Sequence, residues 1–479
     1  MVQSKVKKEG VQMKKNGKLQ MILIIVVVVL LLGGGGTIAA VSYMQNVQQQ
    51  EAEENAMVSF AEWFDEEYFD QVPAMVADGT KIGDAVDYGN ENYLIDVNGT
   101  RVEDYQAYLK TLEENGFKKH VDNGEGLDNG AVLTATYTND EDLVVTVTYI
   151  KNIEKTYVSI NPDMALSPNL FYNESYIADN KEGAETTLSL LEQFEVGNSF
   201  VIQLKNGHFI ISDGGVANML PYLLDYLEGL VPEGEKPIVD AWFFTHPHVD
   251  HMGIMNAFME NPKYANRVVV NGIYYNMPGA NANTKDGNAA QNSNIIKYGS
   301  ASLKSEKGMK PELYRIQMGQ RYYFNDITID IAFTQEQIIP DTYVADINEA
   351  STWCMVTIEE QTILMTGDAD KGAMKNVMRT YSPEYLTVDI LTSFHHSVNT
   401  WNTYTDYAPV ETILVTRYGM NMNYDSNHYL QENVDEILSY VDGTKILTFP
   451  YAKGTAKSLP NLTWEYHTAE QIANRVIVK

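Results

Sequence analysis

The stretch Thr245-His246-Pro247-His248-Val249-Asp250-His251 sets three imidazoles and one carboxylate side by side. It follows an apolar run, residues 238–244, that reads as a buried strand, and it precedes a helix-like segment, residues 252–260. In extended chain, residues two apart point to the same side. His246, His248 and Asp250 therefore face one point, and His251 turns in from the start of the helix. A stable core has no use for such groups in a row, because each needs a partner once buried. Imidazole nitrogen and carboxylate oxygen are ligands that a borderline cation such as zinc accepts. The pattern predicts a metal site at the end of a central strand.

The N-terminus points elsewhere. Residues 1–20 carry Lys5, Lys7, Lys8, Lys14, Lys15 and Lys18 against one acid, and residues 21–44 carry no charge. About twenty apolar residues span a bilayer, and lysines stay on the cytoplasmic side. The expectation is a single-pass anchor in the cell membrane, N-terminus cytoplasmic, with the rest of the chain extracellular. Thr37-Ile38-Ala39-Ala40 would also suit a cleaved signal peptide. Residues 45–92 read as a juxtamembrane linker, with apolar and aromatic residues at helical spacing over 57–72. Residues 93–165 read as a small α+β domain with a β-α-β-β-β order and a helix over 102–114; His120 stands alone in it. The formal charge is −30, which argues against a general electrostatic grip on nucleic acid; only a local basic patch would allow one. With one cysteine, Cys354, no intrachain disulfide forms, and a lone Cys in an apolar strand reads as a core residue.

From residue 169 to 479 strands alternate with helices. Four strands end on a candidate ligand or its support: Asp213 before Gly214-Gly215, His246, Asp368 after Gly367, and His395-His396. Strand ends on one edge of a sheet are where α/β proteins gather their chemistry. His208, in a hairpin, reads as a satisfied strand residue. The chain closes as strand, helix (429–441), strand. Residues 276–294 form a long polar connection, either a lid or a floppy insertion.

These motifs resemble those of the metallo-β-lactamase superfamily of hydrolases, and Gly367-Asp368 with His395-His396 resembles the ComEC/Rec2-type branch, here without its channel helices. Asn423-Tyr424 and His428 are similar to a further stretch of that branch. The resemblance implies an α/β (α+β) fold, an αββα sandwich preceded by the transmembrane helix and the small domain, with one or two zinc ions (manganese as a substitute) in the cleft. Carried over, His246 and His248 hold the first metal, Asp250, His251 and His395 the second, and Asp368 bridges them. Asp213 fixes the ligand loop, His396 is a wall residue or substrate donor, and His428 is a candidate proton donor. Two features depart from the family. No His lies between His251 and His395, so Asn348 or Ser351 stands where a third imidazole usually comes to the first metal. Ser397 stands where Gly commonly follows the two His, and either of the pair can ligate.

A divalent cation brings the pKa of water to about 7, and a metal pair neutralises the entering and leaving oxygens of a phosphodiester. The expected activity is hydrolysis of a phosphodiester or other ester, in a small molecule or a cell-envelope polymer, with Asp250 and His428 as catalytic residues. A β-lactam hydrolase and a non-catalytic surface binding module are the alternatives.

Overall fold

The computed structural model describes residues 59–462, apart from short gaps and the longer stretches 175–184, 285–310 and 418–427. The expected anchor and basic segment, and most of residues 276–294, lie outside the described residues. Among the described residues no helix is long and apolar enough to cross a membrane.

The small domain starts before residue 93. Its sheet has six antiparallel strands, β1 (Lys81–Asp87), β2 (Tyr93–Asn98), β3 (Lys118–Asp122), β4 (Val132–Thr138), β5 (Leu143–Ile150) and β6 (Lys155–Pro162), in the order β1-β2-β6-β5-β4-β3. β1 and β3 escape the sequence pattern because they are charged edge strands with little apolar alternation, as edges commonly are. Helix α1 (Val102–Glu114) buries Tyr105, Tyr108, Leu109 and Leu112 on one face and stops at Asn115-Gly116, where Gly116 takes φ +87°. Phe60, Phe69, Val72 and Met75 belong to the same core. They lie on and around two 3₁₀ turns, Phe60–Glu62 and Glu67–Gln71, in place of the expected helix.

The larger unit is two facing sheets. The first has nine strands: β7 (Thr187–Leu190), β8 (Ser199–Gln203), β9 (Phe209–Asp213), β10 (Ile238–Phe244), β11 (Val269–Val270), β12 (Gly272–Tyr275), β13 (Glu312–Arg315), and, from the C-terminal part, β21 (Lys445–Thr448) and β22 (Lys457–Ser458). The second has seven: β14 (Arg321–Phe324), β15 (Ile327–Phe333), β16 (Trp353–Ile358), β17 (Gln361–Met365), β18 (Val388–Thr392), β19 (Val410–Val415) and β20 (Glu436–Ser439), side by side in that order. β9, β10, β12 and β13 run parallel, as do β17 to β20.

Alternation along β10 shows the layering. Ala241 and Phe243 face the second sheet, where they meet Phe324, Val356 and Met365, and Cys354 lies in the same interior. Trp242 and Phe244 face α2 (Leu220–Glu228) and α3 (Val249–Glu260) through Leu223, Met255 and Phe258. On the outer face of the second sheet, α4 (Lys371–Thr380) packs through Ala373, Met374 and Val377. The layers run helix, sheet, sheet, helix.

The expected helix over 429–441 is instead β20, parallel to β19, and a 3₁₀ turn, Tyr440–Asp442. The open edge of β19 captures Ile437 and Leu438 as a strand, a tertiary choice that local spacing does not reveal. The small domain also packs onto the second sheet. Leu94, Val132, Ile150 and Tyr157 share a core with Phe333, Trp353 and Tyr381. Thr134 Oγ1 donates to Met318 O (2.7 Å), Asn152 Nδ2 to Thr380 O (2.8 Å), and Ser382 N to Asp128 Oδ2 (2.6 Å).

Candidate metal centre

Parallel pairing brings the ends of β9 and β10 to one edge of the first sheet, and the ends of β17 and β18 to one edge of the second. Asp213 closes β9 with φ +55° and a fully buried carboxylate. That carboxylate accepts from Thr245 N (2.8 Å), Thr245 Oγ1 (2.8 Å) and Asn198 Nδ2 (2.6 Å), and His251 Nδ1 lies 2.8 Å from it. The loop after β10 is thus tied to its neighbouring strand before α3 begins. Gly367 (φ +55°) ends β17, and a Cβ there would lie 2.8 Å from the Thr245 side chain, so only glycine lets the two sheets close at this point. Asp368 follows, its N–H donating to Ser351 Oγ (3.1 Å).

Two groups of ligating side chains result, Asp250–His251–Asp368–His396 and His246–His248–Asp368, with Asp368 common to both. In the first group His251 Nε2 lies 3.0 Å from Asp368 Oδ1, and His396 Nε2 lies 3.1 Å from both Asp368 Oδ2 and Asp250 Oδ2.

His396, and not His395, enters the first group. Phe394 is followed by His395, His396 and Ser397 at φ +43°, +48° and +64°. This left-handed turn sends His396 inward, where its Nδ1 meets Thr416 Oγ1 at 2.9 Å, and leaves the His395 side chain at the mouth, 26% exposed. His395 Nε2 is 3.9 Å from Asp368 Oδ2 and 3.5 Å from Asn348 Nδ2. Asn348 is buried beside it. His428 is exposed and belongs to neither group. His208 pairs with Asp240 (3.0 Å). Sequence reasoning passed over Thr245, Asn198 and Thr416, which support the ligands without resembling any motif.

The charges are set by proximity in a dry site. Burial would raise the Asp368 carboxyl, yet His251 and His396 hold it well below the usual range. Burial likewise opposes the charged forms of both imidazoles. Asp368 and Asp213 nevertheless keep His251 well above its ordinary value, and Asp368 and Asp250 hold His396 at about 9. His246 differs: burial, then His251 and His248, push it well below its ordinary value, so it is neutral.

Its tautomer follows. The one Thr245 hydroxyl proton goes to Asp213, so that oxygen accepts from His246 Nδ1 (3.1 Å). His246 Nε2 is then a bare lone pair. It is buried and has no hydrogen-bond partner among the described residues, and Asp368 Oδ2 is 4.0 Å away. An orphan lone pair beside a carboxylate fits a divalent cation and disfavours an empty core.

Residues 193–376 match the family model described as the metallo-beta-lactamase superfamily. No curated protein matches the chain significantly. Among solved structures, a Cronobacter sakazakii metallo-beta-lactamase with a HARLDQ motif is 14% identical, covering 43% of this chain and 73% of its own, at a TM-score of 0.28. A metal-dependent hydrolase of the beta-lactamase superfamily is 11% identical, covering 58% and 100%, at 0.32. Unliganded yeast PDE1 is 10% identical, covering 56% and 100%, at 0.33. Members of the matched superfamily are typically metal-dependent hydrolases, and their fold binds divalent metals, often zinc. By sequence match and by its sandwich of sheets, the chain carries a metallo-beta-lactamase superfamily domain.

Proposed function

We propose that the protein hydrolyses a phosphodiester or other ester at a paired metal centre held by Asp250, His251, His396 and Asp368 on one side and by His246, His248 and Asp368 on the other. The observation that carries this reading is the buried, unpartnered Nε2 of His246 facing the shared carboxylate. Two divalent cations, when bound, supply Lewis acidity and a water acidified to near neutrality. The chain does the rest. Asp213 fixes His251 through Nδ1, so that only Nε2 faces the centre. Thr245 does the same for His246. Asp250, held ionised against burial by His396 and His251, is partly open to the cleft and takes the proton of the attacking water. Asp368, sealed under the site, keeps two groups of imidazoles around one carboxylate.

The uncharged segment 21–44 supports an outward-facing location on a membrane. The test is metal content together with turnover of bis-p-nitrophenyl phosphate. The expected result is bound zinc or manganese, turnover lost on chelation, and at least a hundredfold loss in Asp250→Ala. Metal-loaded protein that turns over no ester would replace this reading with a binding module.

A further inference from the structure

His395 and His396 are neighbours in sequence, yet the left-handed turn drives their side chains apart, to ring centroids 6.2 Å from each other. A single non-glycine residue in this conformation costs about 1–2 kcal/mol, and here three stand in a row. Such strain persists where the surroundings over-determine it, which happens most at functional sites. The turn does two things at once. It buries His396 between Asp250 and Asp368, and it sets His395 on the far side of Asp368.

That far side is where the other group lies. Counted by ligands, the two groups are unequal: one has two imidazoles and two carboxylates, the other two imidazoles and only the shared Asp368. His395 Nε2 is as near to Asp368 Oδ2 (3.9 Å) as the orphan His246 Nε2 is (4.0 Å). Two ligands on one zinc, each bonded at about 2.0–2.1 Å, sit roughly 3.4 Å apart in a tetrahedral site. His246 and His395 thus approach one oxygen at close to the separation a common cation imposes. His395 Nδ1 is buried without a hydrogen-bond partner among the described residues, so no contact through that atom pins the ring. A turn of the partly exposed ring brings it in.

We infer that His395 supplies the third imidazole of the His246–His248–Asp368 group, so that the adjacent histidines serve two different cations. This rests on the paired metal centre proposed above. The fourth position of that cation stays open to water or substrate, as a catalytic site requires.

The test is metal stoichiometry by mass spectrometry and stepwise affinity by calorimetry, on the full chain and on His395→Asn and His395→Gly. Both replacements suit a positive φ, so folding is retained, checked by circular dichroism. His208→Ala is the control. The wild type and the control should bind two cobalt(II) ions. Both His395 variants should keep one and bind the second at least tenfold more weakly, with a changed visible cobalt spectrum. Two ions bound at unchanged affinity in both variants would overturn the inference while leaving the paired centre standing. A wild type that binds no metal would overturn the paired centre itself.

Discussion

Asp213 is the residue on which the loop after β10 depends, because one buried carboxylate satisfies Thr245, Asn198 and His251 together. Asp213→Asn turns one acceptor oxygen into a donor that faces donors. It should weaken metal binding about 10- to 100-fold while leaving a folded chain, measured by competition with a chromophoric chelator; unchanged affinity would show that the loop holds itself. In the metal-free protein the cluster of carboxylates and imidazolium ions carries its own pH dependence. His396 sits at about 9 in the fold, against about 6.5 unfolded. A raised pKa means stability fully present below about pH 6.5 and lost as pH rises toward 9. The melting temperature of the chelated protein should therefore fall between those values, and a flat profile across them would contradict the charge pattern. At this scale the sequence exposes ligands that crowd together, His246 to His251. It hides Thr416, which lies twenty residues from His396 and reaches it only because β18 and β19 pair in parallel. A threonine at a strand end looks like any other.

The strands of the two sheets are legible where apolar residues alternate, as in β15 and β16, and α1 is legible from its spacing and its Asn-Gly stop. Edge strands β1 and β3 and the strand β20 are not, since their partners decide them. The element that most shapes the site, the left-handed turn from His395 to Ser397, leaves only a faint trace: a serine where a glycine would be at ease. Ser397→Gly should be tolerated. Ser397→Val, a β-branched residue at φ +64°, should lose about 2 kcal/mol or more and release His396 from Thr416. Urea midpoints compare the two, and equal midpoints would mean that the turn is not strained.

At the scale of the molecule, the sequence suggested a spacer domain followed by a separate hydrolase, and the structure joins them. Met318, Phe333 and Trp353 lie under the small domain, and long-range burial of this kind has no local signature. A chain beginning at residue 169 should expose that face and run as aggregates on size exclusion, whereas the chain from residue 59 should run as a discrete species; a monodisperse shorter chain would show that the joint is dispensable. The two sheets meet at the centre in a further way. His246, His248, Asp250 and His251 hang from the first, and Asp368, His395 and His396 from the second, with Thr352 N on Thr245 O (2.9 Å) beside them. An ion seated there is a clasp between leaves of the fold that are remote in the chain, and what binds only the folded form stabilises it in proportion to its concentration. Reactivity and heat resistance are thereby fastened by the same pin, so a sample starved of metal grows fragile in the act of falling silent.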